Sequence, residues 1–196
     1  MVALAAAILL VALAPNARAR AGLVVYGGGL VALFATSGLY HRWPGPHRFK
    51  PLLRRLDHGT IYVFIAASYT PIALVLHGSL AWIMLIVAWV GAATGIGLRL
   101  GWLKAPRGAI AASYLALGWI AVIALPQLIG VLAPAPLALL GGGGLIYSAG
   151  AAVYATRRPD PWPRTFGFHE VFHALVIAAA TVQYIAILGW VLPAGG

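Results

Sequence analysis

Long apolar runs alternate along the chain with short stretches that hold most of its Pro and basic residues. The runs fall at about residues 1–14, 22–41, 57–76, 80–99, 108–126, 133–155 and 168–192. They are apolar on every side instead of alternating, and they exceed the roughly 10 residues of a barrel strand, so the pattern predicts helices. A hydrocarbon layer of about 30 Å takes about 20 helical residues per crossing, and seven crossings therefore use about 140 residues. In a chain of 196 residues that leaves only short loops. The expectation is one all-α integral membrane domain over residues 1–196, a seven-transmembrane helix bundle. Its breaks lie at 15–20, 42–55, 77–79, 99–107, around Pro134 and Pro136, and at 157–164. Pro71, inside the third run, predicts a kink.

The first run is short, reaching only about 21 Å as a helix. Its end, Ala17-Arg18-Ala19, also fits a signal-peptide cleavage region, but no positively charged segment precedes the apolar stretch. Within the runs, Gly91-Ala92-Ala93-Thr94-Gly95 and Gly141-Gly142-Gly143-Gly144 predict close helix packing through small residues in preference to a flexible gate.

Composition agrees with a membrane protein: 62% of residues are apolar and only 8% charged, with a mean hydropathy of +0.94. The net charge of +10 comes from 13 Lys+Arg against 3 Asp+Glu. In a soluble protein that balance points to nucleic acid; here it reports topology, with no nucleic-acid partner implied. Arg42, Arg48, Lys50, Arg54 and Arg55 fall in the second loop, Arg99, Lys104 and Arg107 in the fourth, and Arg157, Arg158 and Arg164 in the sixth. Only Arg18 and Arg20 fall on the other side. The positive-inside rule then places the even loops and the amino terminus in the cytoplasm and the carboxyl terminus outside. Both lysines lie in loops, which leaves no buried lysine for a retinal Schiff base.

Ionisable groups at membrane depth need a reason. Of the three acids, Asp160 sits in the loop Arg158-Pro159-Asp160-Pro161 and reads as a solvated charge, whereas Asp57 and Glu170 lie within runs. Ser37 and His41 are spaced i, i+4 at the end of the second run, and His169 and His173 have the same spacing at the start of the seventh. Asp57 opens the third run just after the same cytoplasmic loop that follows His41. Three imidazoles and a carboxylate therefore share one depth at the cytoplasmic face. His47, His58 and His77 do not meet this test and read as structural.

With no cysteine in the chain, three neutral imidazoles suit zinc with a fourth position open to water. His41, His169 and His173 are the expected ligands. Zinc lowers the pKa of its water towards about 7; Asp57 would orient that water and take its proton, and Ser37 would donate a hydrogen bond. His169-Glu170-Val171-Phe172-His173 also satisfies H-E-x-x-H, which opens a metalloprotease reading with Glu170 as base. A proton-coupled transporter using Asp57 and Glu170 is a further alternative.

Ser37-Gly38-Leu39-Tyr40-His41, then Leu56-Asp57-His58-Gly59-Thr60-Ile61-Tyr62 with Ala66-Ala67-Ser68-Tyr69-Thr70-Pro71, and His169-Glu170-Val171-Phe172-His173 resemble the three motif blocks of the hemolysin III family, the bacterial branch of the progestin and adipoQ receptors. Tyr114-Leu115-Ala116-Leu117-Gly118-Trp119, Gly143-Gly144-Leu145-Ile146-Tyr147, Gly150 and Tyr154 extend the resemblance, which covers about residues 23 to 190. It implies seven membrane helices with zinc near the cytoplasmic side, held by His41, His169 and His173, with Asp57 contacting it through water and Ser37 beside them. The receptor branch implies ceramidase-like hydrolysis of a lipid amide, and the bacterial name implies cytolysis. The leading expectation is a zinc-dependent hydrolase in the cell membrane acting on a membrane lipid amide or acyl substrate. The alternative is a sensor, receptor-like or lytic membrane protein with a structural zinc.

Overall fold

The structure, a computed structural model, describes residues 1–102 and 105–194; Lys104, expected in a loop, lies outside them. Among the described residues the regular elements are helices and helical turns, with no strand beyond one isolated bridge between Trp162 and Phe166. The described residues form two compact units, 1–102 and 105–194.

The first unit contains α1 (Val2–Ala12), α2 (Ala17–Arg42), α3 (Lys50–Leu74) and α4 (Ser79–Gly101). α2 buries Ala19, Gly22, Leu23, Tyr26, Gly27, Leu30 and Leu33, a stripe at helical spacing. α4 buries Ala81, Met84, Ala88, Ala92, Gly95 and Arg99 in the same manner. α3 packs against both of them, and α1 packs on α2. Small residues allow these approaches; of the two runs expected to pack closely, Gly95 and Gly143 have neighbours within 4 Å of a Cβ, whereas Gly141 and Gly142 face open space. A Cβ on Gly27 would lie 2.8 Å from the Ala7 methyl, and one on Gly29 2.7 Å from that of Ala67.

At Gly95 a Cβ would collide with the Tyr62 ring, whereas at Gly97 it would meet nothing within 4 Å. Gly95→Val is expected to destabilise the protein by about 1–3 kcal/mol through overpacking, read as a lower unfolding midpoint in detergent. Gly97→Val serves as the reference, and equal midpoints for the two variants would contradict the packing assignment.

The second unit contains α5 (Arg107–Gly118), a 3₁₀ turn (Trp119–Ala124), α6 (Leu125–Val131), α7 (Pro134–Thr156) and α8 (Phe168–Ala186), followed by a π-helical turn (Ile187–Val191) and α9 (Leu192–Ala194). Pro126 lacks an amide proton and crowds the preceding turn, which accounts for the tightening before α6. α7 packs along α8, with Gly143 against the Ala179 carbonyl and Gly150 against Leu175 and Phe172.

Among the described residues, five helical stretches are long and apolar enough to cross a membrane: Ala17–Arg42, Ser79–Gly101, Arg107–Val131, Pro134–Thr156 and Phe168–Gly189. α1 has only 11 residues, and α3 opens within the basic stretch at Lys50, Arg54 and Arg55. Helix ends differ from the hydropathy pattern for local reasons. Asn16 caps α2, its side chain accepting from the Ala19 amide at 2.8 Å, so Arg18 and Arg20 belong to the helix. Trp43 precedes Pro44, a position that disfavours helix, and α3 restarts with Pro51 in its first turn. The expected 42–55 loop thus shrinks, and Lys50, Arg54 and Arg55 become helical. α3 runs one turn beyond Pro71. Arg99, expected in a loop, lies in α4 and is only 6% exposed, because it continues that helix's buried stripe. The turn before α4 uses Gly78 at φ +68°, a conformation suited to glycine.

Candidate metal centre

The three expected ligands divide between the two units, His41 in the first and His169 with His173 in the second. Each unit presents its own share of the expected site residues.

In the first unit, Ser37 and His41 occupy the last turns of α2, and Asp57 lies in the second turn of α3. The Asp57 carboxyl is buried, with the residue 8% exposed, while Ser37 is half-buried and His41 exposed. Ser37 is the hydrogen-bonding partner of the Asp57 side chain, and His41 is its electrostatic partner. The Tyr40 ring packs edge-on against the His41 imidazole, with centroids 4.7 Å apart. Two threonines overlooked by sequence reasoning set this register. The Thr36 and Thr60 hydroxyls lie 2.8 Å apart across α2 and α3. Each hydroxyl has one proton, so one threonine donates to the other while its partner donates within its own helix, Thr60 to the Asp57 carbonyl at 2.9 Å or Thr36 to the Ala32 carbonyl at 2.8 Å. Thr36 adjoins Ser37 and Thr60 follows Asp57 by three, so this polar contact holds both residues at one height. Their proximity in sequence to the candidate residues was the available signal.

In the second unit, the i, i+4 spacing of His169 and His173 on α8 brings their Nε2 atoms to 3.1 Å. The rings are nearly perpendicular, at 87°, with centroids 4.5 Å apart, and both residues are half-buried. This separation tests the fit to zinc. Two nitrogens bound at about 2.0–2.1 Å with tetrahedral angles stand about 3.3 Å apart. The observed pair sits near that edge length, with the same ring atom of each residue facing the other's. A pair of imidazoles is also a borderline donor that suits zinc. Phe172 packs between the histidines' turns, its ring 5.3 Å from that of His173 and 5.4 Å from that of Tyr154. Tyr154 belongs to an apolar cluster with Ile110, Ala111 and Ala151, against which Phe172 is packed.

Glu170, the base in the metalloprotease reading, is engaged at the helix start. It is exposed, and its Oε2 accepts from the Gly167 amide at 2.9 Å, capping the start of α8. The H-E-x-x-H spacing is thus shared by a pair of facing histidines and a helix cap. Glu170→Ala is expected to lower stability by about 0.5–1 kcal/mol, as for other exposed caps, measured by chemical unfolding; an unchanged midpoint would contradict the capping role. Asp160, expected to be a free loop charge, is also engaged: its Oδ1 accepts from the Phe168 amide at 2.8 Å. The sequence signal for both was an acid near a helix start. Of the remaining histidines, His47 and His77 are exposed at the turns before α3 and α4, and His58 is half-buried on α3.

Comparison with known proteins gives a consistent picture. A family profile described as haemolysin-III related matches residues 1–184. Hemolysin-3 of Bacillus cereus is 30% identical over 179 residues, 91% of this chain and 78% of that protein. The Hemolysin-3 homolog of Bacillus subtilis (strain 168) is 30% identical over 165 residues, 84% of this chain and 74% of its own length. Heptahelical transmembrane protein ADIPOR1 of Oryza sativa subsp. japonica is 30% identical over 181 residues, covering 84% of this chain and 48% of that protein.

Proposed function

The chain belongs to the haemolysin-III related family of multi-pass membrane proteins, and on that premise we propose that it is a zinc-dependent membrane hydrolase that cleaves a lipid amide at the cytoplasmic end of seven membrane helices. The observation that carries the reading is the 3.1 Å approach of the His169 and His173 Nε2 atoms, a preformed two-nitrogen edge. His41 is the third ligand. A buried carboxyl on α3, Asp57, has a hydroxyl partner in Ser37, as proton transfer at such a site requires.

Zinc, when bound, supplies Lewis acidity and acidifies water at neutral pH. The chain's own residues do the rest. Asp57 takes a proton from the water that attacks the amide carbonyl and returns it to the departing amine nitrogen as the C–N bond breaks. Ser37 holds the Asp57 carboxyl in one orientation, and the Thr36–Thr60 contact keeps α2 and α3 in register beneath it. The apolar exterior of the helices, with Trp82, Ile83, Ile86 and Val90 exposed along α4, faces lipid and delivers an acylated substrate from within the bilayer.

The test is fatty-acid release from a long-chain ceramide by protein in lipid nanodiscs, before and after chelation and with zinc restored. Release that stops on chelation and returns with zinc supports the proposal. No release by zinc-loaded protein, from ceramide or other N-acyl lipids, overturns it. The names of the Bacillus relatives favour a second reading, membrane lysis with zinc as a structural tie between helices. Dye release from liposomes by zinc-loaded protein without lipid hydrolysis would select that reading.

A further inference from the structure

Resting on the metal reading above, we propose that Asp160 is a positioning residue for the metal ligands of α8, acting through the Phe168 amide. Asp160 lies eight residues before Phe168, in the loop between α7 and α8, and neither the metal nor the proton transfer involves it directly.

The case begins with the helix start. α8 opens at Phe168 after Gly167, and His169 is only its second residue. The first amides of a helix have no partner within it, and end turns fray unless other groups hold them. His173 sits a full turn deeper. Fraying at the start of α8 therefore moves His169 and leaves His173, which opens the 3.1 Å Nε2 pair. Two of the chain's three acids are spent on this one start: Glu170 takes the Gly167 amide at 2.9 Å, and Asp160 takes the Phe168 amide at 2.8 Å. The Glu170 contact closes on the residue before the helix. The Asp160 contact is the one that fixes the residue adjoining His169.

Three further features favour the contact between Asp160 and Phe168. The loop closes on itself between Trp162 and Phe166, with the Phe166 amide donating to the Trp162 carbonyl at 2.8 Å and the Trp162 amide donating back at 3.2 Å. That closure returns the chain to the helix start. Gly167 leaves room for the carboxylate, because a Cβ there would lie 2.6 Å from Asp160 Oδ1. The Phe168 ring lies under the Arg107 guanidinium, 5.6 Å from its centroid, and the same guanidinium covers Tyr154 at 5.8 Å. Phe168 is thus held by its ring from α5 and by its amide from the loop.

The experiment uses the full chain in detergent, with zinc affinity measured by chelator competition, the visible spectrum of added cobalt, and amide hydrogen exchange. Asp160→Ala is expected to weaken zinc binding roughly 10- to 100-fold, the range for residues that orient metal ligands, to change the cobalt spectrum, and to speed exchange at Phe168 and His169. Asp160→Asn keeps an acceptor oxygen at the same place and is expected to restore most of the affinity and the spectrum. Unchanged affinity in Asp160→Ala, with wild type binding zinc, overturns the proposal. So does an equal loss in Asp160→Asn, because a charge effect and not the hydrogen bond would then be acting. Failure of wild type to bind either ion is a separate result and overturns the metal reading itself.

Discussion

His173→Ala protein, purified in detergent and exposed to zinc, is expected to retain essentially none where wild type retains about one ion per chain. The affinity loss should exceed about 100-fold, since even residues behind a ligand cost up to that much. The reason is geometric. α8 contributes two nitrogens as one edge 3.1 Å long, and a single imidazole offers no edge. Elemental mass spectrometry reads the outcome, with His47→Ala and His77→Ala as references because both side chains are exposed at turns. Zinc at the wild-type level in His173→Ala would remove the histidine pair from the site. Folding is checked by the unfolding midpoint, since Phe172, not His173, carries the packing against Tyr154.

The second large effect is expected for Asp57→Asn. It should cut lipid-amide turnover by about 100- to 10,000-fold, the usual contribution of a positioned proton-transfer group, while zinc content stays at the wild-type value. Asn matches Asp in size and still pairs with the Ser37 hydroxyl, so the contact between α2 and α3 survives with the Thr36–Thr60 bond intact. Turnover is measured as fatty acid released per bound zinc. Retained turnover would exclude Asp57 from the chemistry, and loss of zinc together with turnover would give it a ligand-supporting role instead.

The candidate site residues were legible in one dimension, because their types are out of place in an apolar chain. Asp57, His41, His169 and His173 stand out against 62% apolar composition, and i, i+4 spacing by itself predicts that two histidines share a helix face. Glu170 shows the limit of such a pattern. H-E-x-x-H fits either a base beside two ligands or a cap beside two ligands, and the choice depends on a backbone amide, Gly167, that a motif does not contain. Asp160 shows the same limit from the other side. It reads as a solvated charge until the closed loop returns it to the Phe168 amide. Thr36 and Thr60 meet across 24 residues, a pairing without local signal.

The sequence by itself determined the helical class, the membrane setting and the identity of the polar residues, since hydropathy and helical spacing are local properties that need no partner. Tertiary structure alone decided which face of each helix turns inward and where each helix ends. Helices that are apolar all round give no contrast between lipid and protein, so the burial of Arg99 at the end of the α4 stripe became visible only through packing. Helix ends follow from capping groups and prolines, which hydropathy does not sense. Asn16 thus extends α2 back to Ala17, Pro44 ends it, and Asp160 with Glu170 secures the turn that carries His169.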